Sequence, residues 1–388
     1  MGLNNIYIKV LYISYFFFSW AIGFTVYSNS SVIESISGRG SIGIIYGVAA
    51  VFSLILSTWI VPSLINFVGN RRAIGLAIML EILAIIGIRF TENSGLFAVS
   101  FVLFLSAQIL ISFNFDIFFE HNTLKESSAT ARGAVVSLQH IGRMLGPILA
   151  AFLAIKFGIK SPYNISLILM IITGITLYFA TMKFKDKAHA PASIFKSLNL
   201  VLARPAIRKS LTSIILLHIF YALMVTFVPV YLADVKGIGG ENLGLLFTIM
   251  LTPFVVLGYP IGKHIDSGSS GRRMARYGLL IMAITTLVFP FIDSTSLIIW
   301  GCILLLSRIG AVMLETAGEG IFFRSINEEE TELLGIMRDM QPIGYFIASL
   351  ISVITLMIGN IKDIFYIVGF ILILGIISTT KKKIYAHK

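Results

Sequence analysis

The sequence has little charge and almost no cysteine. Only 13% of its 388 residues are charged, whereas a soluble domain carries roughly 25%. Acidic residues are the scarcer sign, with 19 Asp and Glu against 30 Lys and Arg. So few charges could not cover the surface of a soluble protein, which excludes an ordinary soluble domain. The single cysteine, Cys302, excludes an intrachain disulfide, a CxxC redox pair and a structural zinc site.

Motifs for catalysis and nucleotide binding are also absent. The sequence contains no GxSxG nucleophile elbow, no HExxH metalloprotease pattern and no P-loop. These absences argue against hydrolysis and against transport driven by ATP. We therefore predict that the protein is not an enzyme, and that it uses no cofactor and no bound metal.

Apolar residues, in contrast, are abundant. They make up 57% of the chain, and the mean hydropathy is +0.91. A helix needs roughly 20 apolar residues to cross a bilayer. The pattern predicts an all-α integral membrane protein with twelve transmembrane helices, here called spans 1 to 12. They lie near residues 7–28, 42–66, 73–91, 96–120, 131–157, 163–182, 209–232, 242–263, 275–292, 296–320, 333–358 and 363–380.

The longest polar break follows span 6, from about residue 183 to residue 210. It predicts an N-terminal six-helix bundle over residues 1–182, a cytoplasmic linker over 183–208, and a C-terminal bundle over 209–388. A chain of this kind has the lipid bilayer as its main partner, and we expect it to be a monomer.

Positive charge is distributed unevenly over the connections between spans. Of the 30 Lys and Arg, 20 fall in the even-numbered connections or at the C-terminus, and only six fall in the odd-numbered connections. Connections rich in Lys and Arg stay on the cytoplasmic side. We therefore predict a multi-pass protein of the cell membrane with both termini in the cytoplasm. Because topology accounts for the positive charge, no nucleic-acid partner is expected.

The two halves carry related sequences. Span 5 contains Gly133 and Gln139 in the pattern G-x5-Q-x-I-G, and span 11 repeats the pattern with Gly335 and Gln341. Acidic pairs four residues apart also recur near the ends of spans 4 and 10, as Asp116 with Glu120 and Glu315 with Glu319. Repeated halves are typical of transporters, which hold their solute between the halves. A receptor, a channel or a membrane enzyme would not require such a repeat.

The loops after spans 2 and 8 also correspond to each other. The second loop reads Gly262-Lys263-His264-Ile265-Asp266 and then Gly271-Arg272-Arg273, and it resembles the signature G-x3-D-R-x-G-R-R of the major facilitator superfamily. The first loop departs from this signature, with Pro62, Asn66 and Phe67 before Arg71 and Arg72. The resemblance covers the whole chain. It implies two pseudo-symmetric six-helix bundles that move a small-molecule solute by alternating access.

Span 5 carries a second signature. Gly133, Gly142, Gly146 and Pro147 follow a pattern that resembles G-x8-G-x3-G-P-x2-G-G in span 5 of proton-coupled drug exporters, except that Ala150-Ala151 replace the final glycine pair. This resemblance implies efflux of a drug or metabolite, with protons as a second partner. Small residues also allow close helix packing in membranes generally. Span 4 departs from the exporter pattern because it has Gln108 and no embedded Arg. The alternative is proton-coupled or facilitative uptake of a nutrient or an organic anion.

Several polar side chains fall inside the predicted spans. An ionisable group at the bilayer centre costs about 2.5–3.5 kcal/mol on insertion scales, so each such group needs a functional or structural reason. We predict that His218 and Glu81 carry protons, and that Arg143 or Arg308 binds an anionic solute group or pairs with a carboxyl group of the protein. Structural hydrogen bonding would also explain these residues. The full set of candidates for solute or proton binding is His218, Arg308, Arg143, Glu81, Gln108, Gln139 and Gln341.

The remaining candidates lie near the predicted cytoplasmic face. Acidic side chains at the ends of spans 4 and 10 are expected to pair with arginines of the two signature loops, so that they close this face when the cavity faces outward. Solute binding, metal binding and simple solvation of the helix ends are the alternatives. The predicted gate residues are Asn66, Arg71, Arg72, Asp116, Glu120, Asp266, Arg272, Arg273, Glu315 and Glu319.

Overall fold

The computed structural model describes residues 2–122, 128–182, 194–266, 271–326 and 331–380. Within these ranges the chain is helical and contains no strand. The described residues include 12 helices that are long and apolar enough to cross a membrane, which confirms the predicted number of spans.

The first six spans alternate with short connections. A short helix, Asn29–Ser37, joins spans 1 and 2. Gly69 alone separates spans 2 and 3 and has φ of 84°, a left-handed conformation that favours glycine. Spans 1 to 6 comprise Gly2–Thr25, Ser41–Ile55 continued by a π-helical turn at Leu56–Ile60 and by Val61–Val68, Asn70–Phe90, Ser94–Asn122, Ser128–Phe157 and Pro162–Ala180.

The second six spans follow a linker helix, Ile194–Ala203. Its Val201 packs in a small cluster with Ile207 of span 7 and Phe322 of span 10. Spans 7 to 12 comprise Pro205–Asp234, Glu241–Met250 continued by Thr252–Asp266, Gly271–Val288 with a 3-10 turn at Phe289–Phe291, Leu297–Ser325, Thr331–Ile358 and Ile361–Thr380. The boundaries of the two predicted bundles stay a prediction.

Two seams join the halves. Span 2 packs against span 11, and span 5 packs against both helices of span 8. Small residues bring the backbones close at these seams. Ser349 of span 11 donates a hydrogen bond to the Gly43 carbonyl at 2.5 Å, and a Cβ at Gly244 of span 8 would lie 2.8 Å from the Pro147 carbonyl oxygen.

The bundle has two faces that the connections define. Because an even number of spans returns the chain to its starting side, span 1 begins and span 12 ends at the same face, here called the terminal face. The opposite face carries the connections near residues 38–40, 91–93, 158–161, 235–240, 292–296 and 359–360 and is here called the short-loop face. The assignment of the terminal face to the cytoplasm stays a prediction.

Candidate functional site

A central cavity lies between the two halves. Its volume is about 100 Å³, and spans 1, 2, 4, 5, 7 and 11 contribute to its wall. Ligand pockets in proteins are commonly about 300–1,000 Å³, so this cavity must widen before it admits a solute. Three predicted site residues meet here, namely Gln108, Arg143 and Gln341, together with Tyr46 and Tyr345.

Arg143 is the charged residue in the cavity wall. The Gln139 side chain lies one helical turn before it. With its amide oxygen turned toward Arg143, it accepts hydrogen bonds from Nη2 at 2.6 Å and Nη1 at 3.1 Å. The amide nitrogen of Gln139 lies 3.2 Å from the Tyr15 hydroxyl, to which it donates. The Arg143 Nε is buried without a hydrogen-bond partner. Gln139 therefore orients the guanidinium group without neutralising it.

Arg308 approaches from the other half, on span 10. Arg308 is 3% exposed, and its guanidinium carbon lies 5.5 Å from the ring centroids of both Phe220 and Tyr221. Its Nε also has no hydrogen-bond partner. Tyr27 and Tyr345 lie in the electric field of both Arg308 and Arg143. The two arginines therefore act on the same region of the bundle from opposite halves.

Neither guanidinium group has an anionic partner. Among the described residues, no carboxylate lies within 4.0 Å of Arg143 or Arg308. Neither guanidinium group therefore forms a direct ion pair with a described carboxylate, although Glu315 accepts a hydrogen bond from Tyr221, whose ring lies beside Arg308. The rings of Phe220 and Tyr221 offset part of the cost of burying Arg308 through cation–π attraction.

The two histidines of the central region sit in aromatic surroundings. His218 of span 7 lies edge-on to Tyr221, with ring centroids 6.4 Å apart. His140, which the sequence did not single out, stacks on Phe254 of span 8 at 4.1 Å. Both ring nitrogens of His140 are buried and lack hydrogen-bond partners. His140 could have been identified from the sequence because it directly follows Gln139 in the repeated pattern of span 5.

Glu81 of span 3 lies behind the cavity wall. The residue is 0% exposed, and its Oε1 accepts a hydrogen bond from Gln108 Nε2 at 3.2 Å. Its other oxygen is buried without a partner. Because Gln108 also lines the cavity, its side-chain amide lies between the Glu81 carboxyl group and the central cavity.

The span 5 signature lies where helices approach closely. A Cβ at Gly142 would lie 3.0 Å from the Trp20 backbone nitrogen, and a Cβ at Gly146 would overlap the Gly23 backbone. Pro147 lies inside the helix and faces Gly244 across the seam with span 8. The side-chain environment of Gly133 lies outside the described residues.

Several predicted gate residues have partners outside the predicted set. Asp116 of span 4 lies 3.6 Å from Arg338 of span 11, a residue that the sequence did not single out. Glu315 accepts a hydrogen bond from the Tyr221 hydroxyl at 2.8 Å, and Arg71 lies over the Tyr178 ring. Arg72, Arg272 and Arg273 are exposed, and Glu319 is half-buried. The side chains of Asn66, Glu120 and Asp266 lie outside the described residues.

Asp339 is a further contact between the halves that sequence reasoning missed. Its Oδ1 accepts from the Ser57 hydroxyl at 2.8 Å, and its Oδ2 accepts from the Thr58 hydroxyl at 3.3 Å. Both hydroxyls belong to the π-helical turn of span 2. An acidic residue beside Arg338 inside an apolar span was the signal that could have identified it.

The halves also meet on the short-loop side of the cavity. Arg39, in the connection before span 2, pairs with Glu34 at 2.8 Å and with Asp234 at the end of span 7. Tyr27 stacks on Phe247 of span 8 with ring centroids 4.6 Å apart. The described residues therefore form contacts between the halves on both sides of a small central cavity.

The described spans surround a central cavity between two halves, which is the arrangement of a membrane transporter built from two repeated halves. The family model for the Major Facilitator Superfamily matches residues 11–332, and the chain belongs to that family. The twelve-span fold of that family is thereby confirmed.

A solved structure supports the fold assignment. The chain is similar to the human organic anion transporter MFSD10 (TETRAN), with a TM-score of 0.73 and 12% sequence identity. The match covers 98% of this chain and 100% of that chain. At this identity the likeness shows the fold alone. No curated protein sequence matches the chain.

Proposed function

We propose that this transporter moves small organic anions by alternating access, and that Arg143 and Arg308 bind their negative charge. The observation that carries the proposal is the pair of guanidinium groups inside the bundle, one from each half, without a carboxylate partner. An arginine remains charged in a protein. A counter-ion would offset the burial cost that the neutral amide and the aromatic rings leave, and an anionic solute can supply one.

The surroundings of the two arginines suit an organic anion. Arg143 is oriented by Gln139, so two of its N–H donors are fixed and the Nε donor is unused. Tyr46 and Tyr345 offer aromatic surface for the apolar part of a solute, and Gln341 offers hydrogen bonds. The similar fold of a protein named as an organic anion transporter agrees with this solute class.

Binding by both halves would also explain how transport proceeds. An anion that contacts Arg143 in one half and Arg308 in the other would draw the halves together around itself. In alternating access, the two halves close around the bound solute and then separate at the opposite face. A cavity of about 100 Å³ is smaller than a typical ligand pocket, so the halves would have to separate to admit a solute.

Flux in proteoliposomes tests the proposal. We expect uptake of radiolabelled p-toluenesulfonate and benzoate, and no uptake of benzylammonium, a cation of similar size. Arg143→Gln and Arg308→Gln should each lower anion uptake at least about tenfold, because each removes a charge-assisted contact. Arg89→Gln is the matched control, because this arginine hydrogen-bonds Asn164 at the short-loop end of span 3. Unchanged anion uptake in both Arg143→Gln and Arg308→Gln would refute the proposal.

A second candidate function is proton-coupled export of a drug or metabolite. The observation that favours it is the span 5 signature, whose Gly142 and Gly146 pack tightly against span 1. In this proposal the protein exchanges protons for solute. Export requires that an inward proton gradient drives solute outward in oriented vesicles, whereas uptake requires the opposite. Measuring net flux in both directions under the same gradient distinguishes the two.

A further inference from the structure

Glu81 is a carboxyl group that the anion site does not use. It is 0% exposed, and among the described residues Gln108 alone donates a hydrogen bond to it, with the second oxygen left without a partner. A charged carboxylate in such surroundings is costly because no cation and no second donor stabilise it. A carboxyl group held in this way has a physical reason to bind a proton.

The neighbouring helices supply no charge that would stabilise the carboxylate. Span 3 packs against spans 4 and 6 and against the Val61–Val68 helix, which has no titratable side chain. Arg71 and Arg89 lie at the ends of span 3, roughly 12–15 Å along the axis from Glu81. The titratable residues of span 6 are Tyr163, which donates a hydrogen bond to Asn29, and Tyr178, whose ring lies under Arg71. Those of span 4 lie near its end and are Asp116, Glu120 and His121.

We propose that Glu81 is a proton-binding site of the transport cycle, and that Gln108 transmits its protonation state to the anion site. This inference rests on the proposed transport of organic anions. The geometry behind it is the position of Gln108, which contacts Glu81 on one side and lines the same cavity as Arg143 on the other.

The amide of Gln108 has two orientations with opposite effects on the cavity. When Glu81 is ionised, the amide N–H donates to the carboxylate, as observed, and the amide oxygen is left for the cavity side. An oxygen lone pair repels an anion. When a proton from cavity water binds Glu81, its O–H can donate to the amide oxygen after the amide rotates by half a turn. The amide nitrogen then faces the cavity and offers its N–H donors to the solute.

The proton and the anion therefore favour each other's binding. Protonation of Glu81 replaces a repulsive oxygen by an attractive donor beside Arg143 and so strengthens anion binding. By thermodynamic linkage, a bound anion strengthens proton binding to Glu81 by the same factor. Acid should strengthen anion binding, and the loaded carrier should move a proton together with the anion. In an exporter that exchanges protons for solute, protonation would instead weaken solute binding.

The test is binding of radiolabelled p-toluenesulfonate to the full-length purified protein. Its sulfonate stays ionised throughout the pH range used, so only the protein titrates. The wild type should bind about tenfold more tightly near pH 5.5 than near pH 8, because one hydrogen bond to an anion is gained. Glu81→Gln should bind tightly and equally at both values, because its amide can donate to Gln108 as the protonated acid does.

Two further variants make the result specific. Gln108→Met keeps Glu81 and removes the amide, so its binding should be weak and independent of pH. Glu92→Gln alters an exposed carboxyl that pairs with Lys160 and should keep the wild-type pH dependence. In liposomes, Glu81→Gln should exchange labelled for unlabelled anion but should not accumulate it under a proton gradient.

Other outcomes overturn the inference in distinguishable ways. Wild-type pH dependence retained in Glu81→Gln or in Gln108→Met would remove Glu81 or the amide switch from the mechanism. Weaker binding of the wild type in acid would replace co-binding by exchange. If the wild type bound the sulfonate at neither pH, the proposed anion transport would fail, and this inference would fail with it.

Discussion

At the scale of single residues, the central region of the bundle is characterised by what surrounds its two guanidinium groups, of which Arg143 lines the cavity. Arg143 is bound by a neutral amide, and Arg308 lies on two aromatic rings. Each arrangement holds a guanidinium group in place and leaves its charge available. A carboxylate at either position would hold the group equally well but would occupy the place of an anionic solute.

Gln139 offers a direct test of this argument. Gln139→Leu removes the two hydrogen bonds to Arg143 and should weaken anion binding several-fold, because the guanidinium loses its orientation. Gln139→Glu keeps the geometry but adds a negative charge, so it should weaken anion binding more than Gln139→Leu does. The measurement is equilibrium binding of the sulfonate probe to each variant. If the glutamate variant bound the anion as well as the wild type, Arg143 would not be the anion-binding group.

At the scale of helices, the π-helical turn in span 2 places two hydroxyls on one carboxylate. Successive side chains in an α-helix point about 100° apart, and the wider π turn brings them closer in direction. Ser57 and Thr58 are successive residues in this turn, and both donate to Asp339. Beside it, Arg338 lies near Asp116 and stacks over the Phe113 ring at 4.5 Å. The start of span 11 is thereby fixed to spans 2 and 4 of the other half.

Removal of the two hydroxyls should favour opening at the terminal face. A hydrogen bond to a charged group contributes about 1.5–3 kcal/mol, and the two bonds to Asp339 form only while spans 2 and 11 are in contact. Ser57→Ala combined with Thr58→Val should therefore shift the population toward wider separations between spin labels across the terminal face. Ser63→Ala, which removes a hydroxyl bonded within its own helix, is the control. An unchanged distance distribution in the double variant would show that these bonds do not hold the halves together.

The sequence predicted the spans well because their signal is local. Roughly 20 apolar residues are needed for each crossing, and charged or glycine-containing breaks separate the runs. The repeat also identified Gln139 and Gln341, which the structure places at Arg143 and in the cavity wall. Asp339 was not identified because its partners lie 282 and 281 residues away and on the other half. The π turn was also missed, since neither proline nor glycine marks Leu56–Ile60.

At the scale of the whole molecule, the halves are joined near the two faces by contacts of different chemistry. The short-loop face uses an exposed ion pair between Arg39 and Asp234, together with packing of Tyr27 on Phe247. The terminal face uses half-buried contacts of Asp339 and Arg338. An exposed ion pair is weak and is screened by salt. High ionic strength should therefore loosen the short-loop face more than the terminal face.

Orientation in the membrane is the property on which transport direction depends. The excess of Lys and Arg in the even-numbered connections predicts that the terminal face is cytoplasmic. Single cysteines at Ser35 and Asn360, on the short-loop side, should react with an impermeant maleimide in intact cells, in a background where Cys302 is replaced by serine. A cysteine at Asn199, an exposed position of the linker helix, should react only after the cells are permeabilised. The reverse pattern would invert the topology and reverse the direction in which a proton gradient drives the anion.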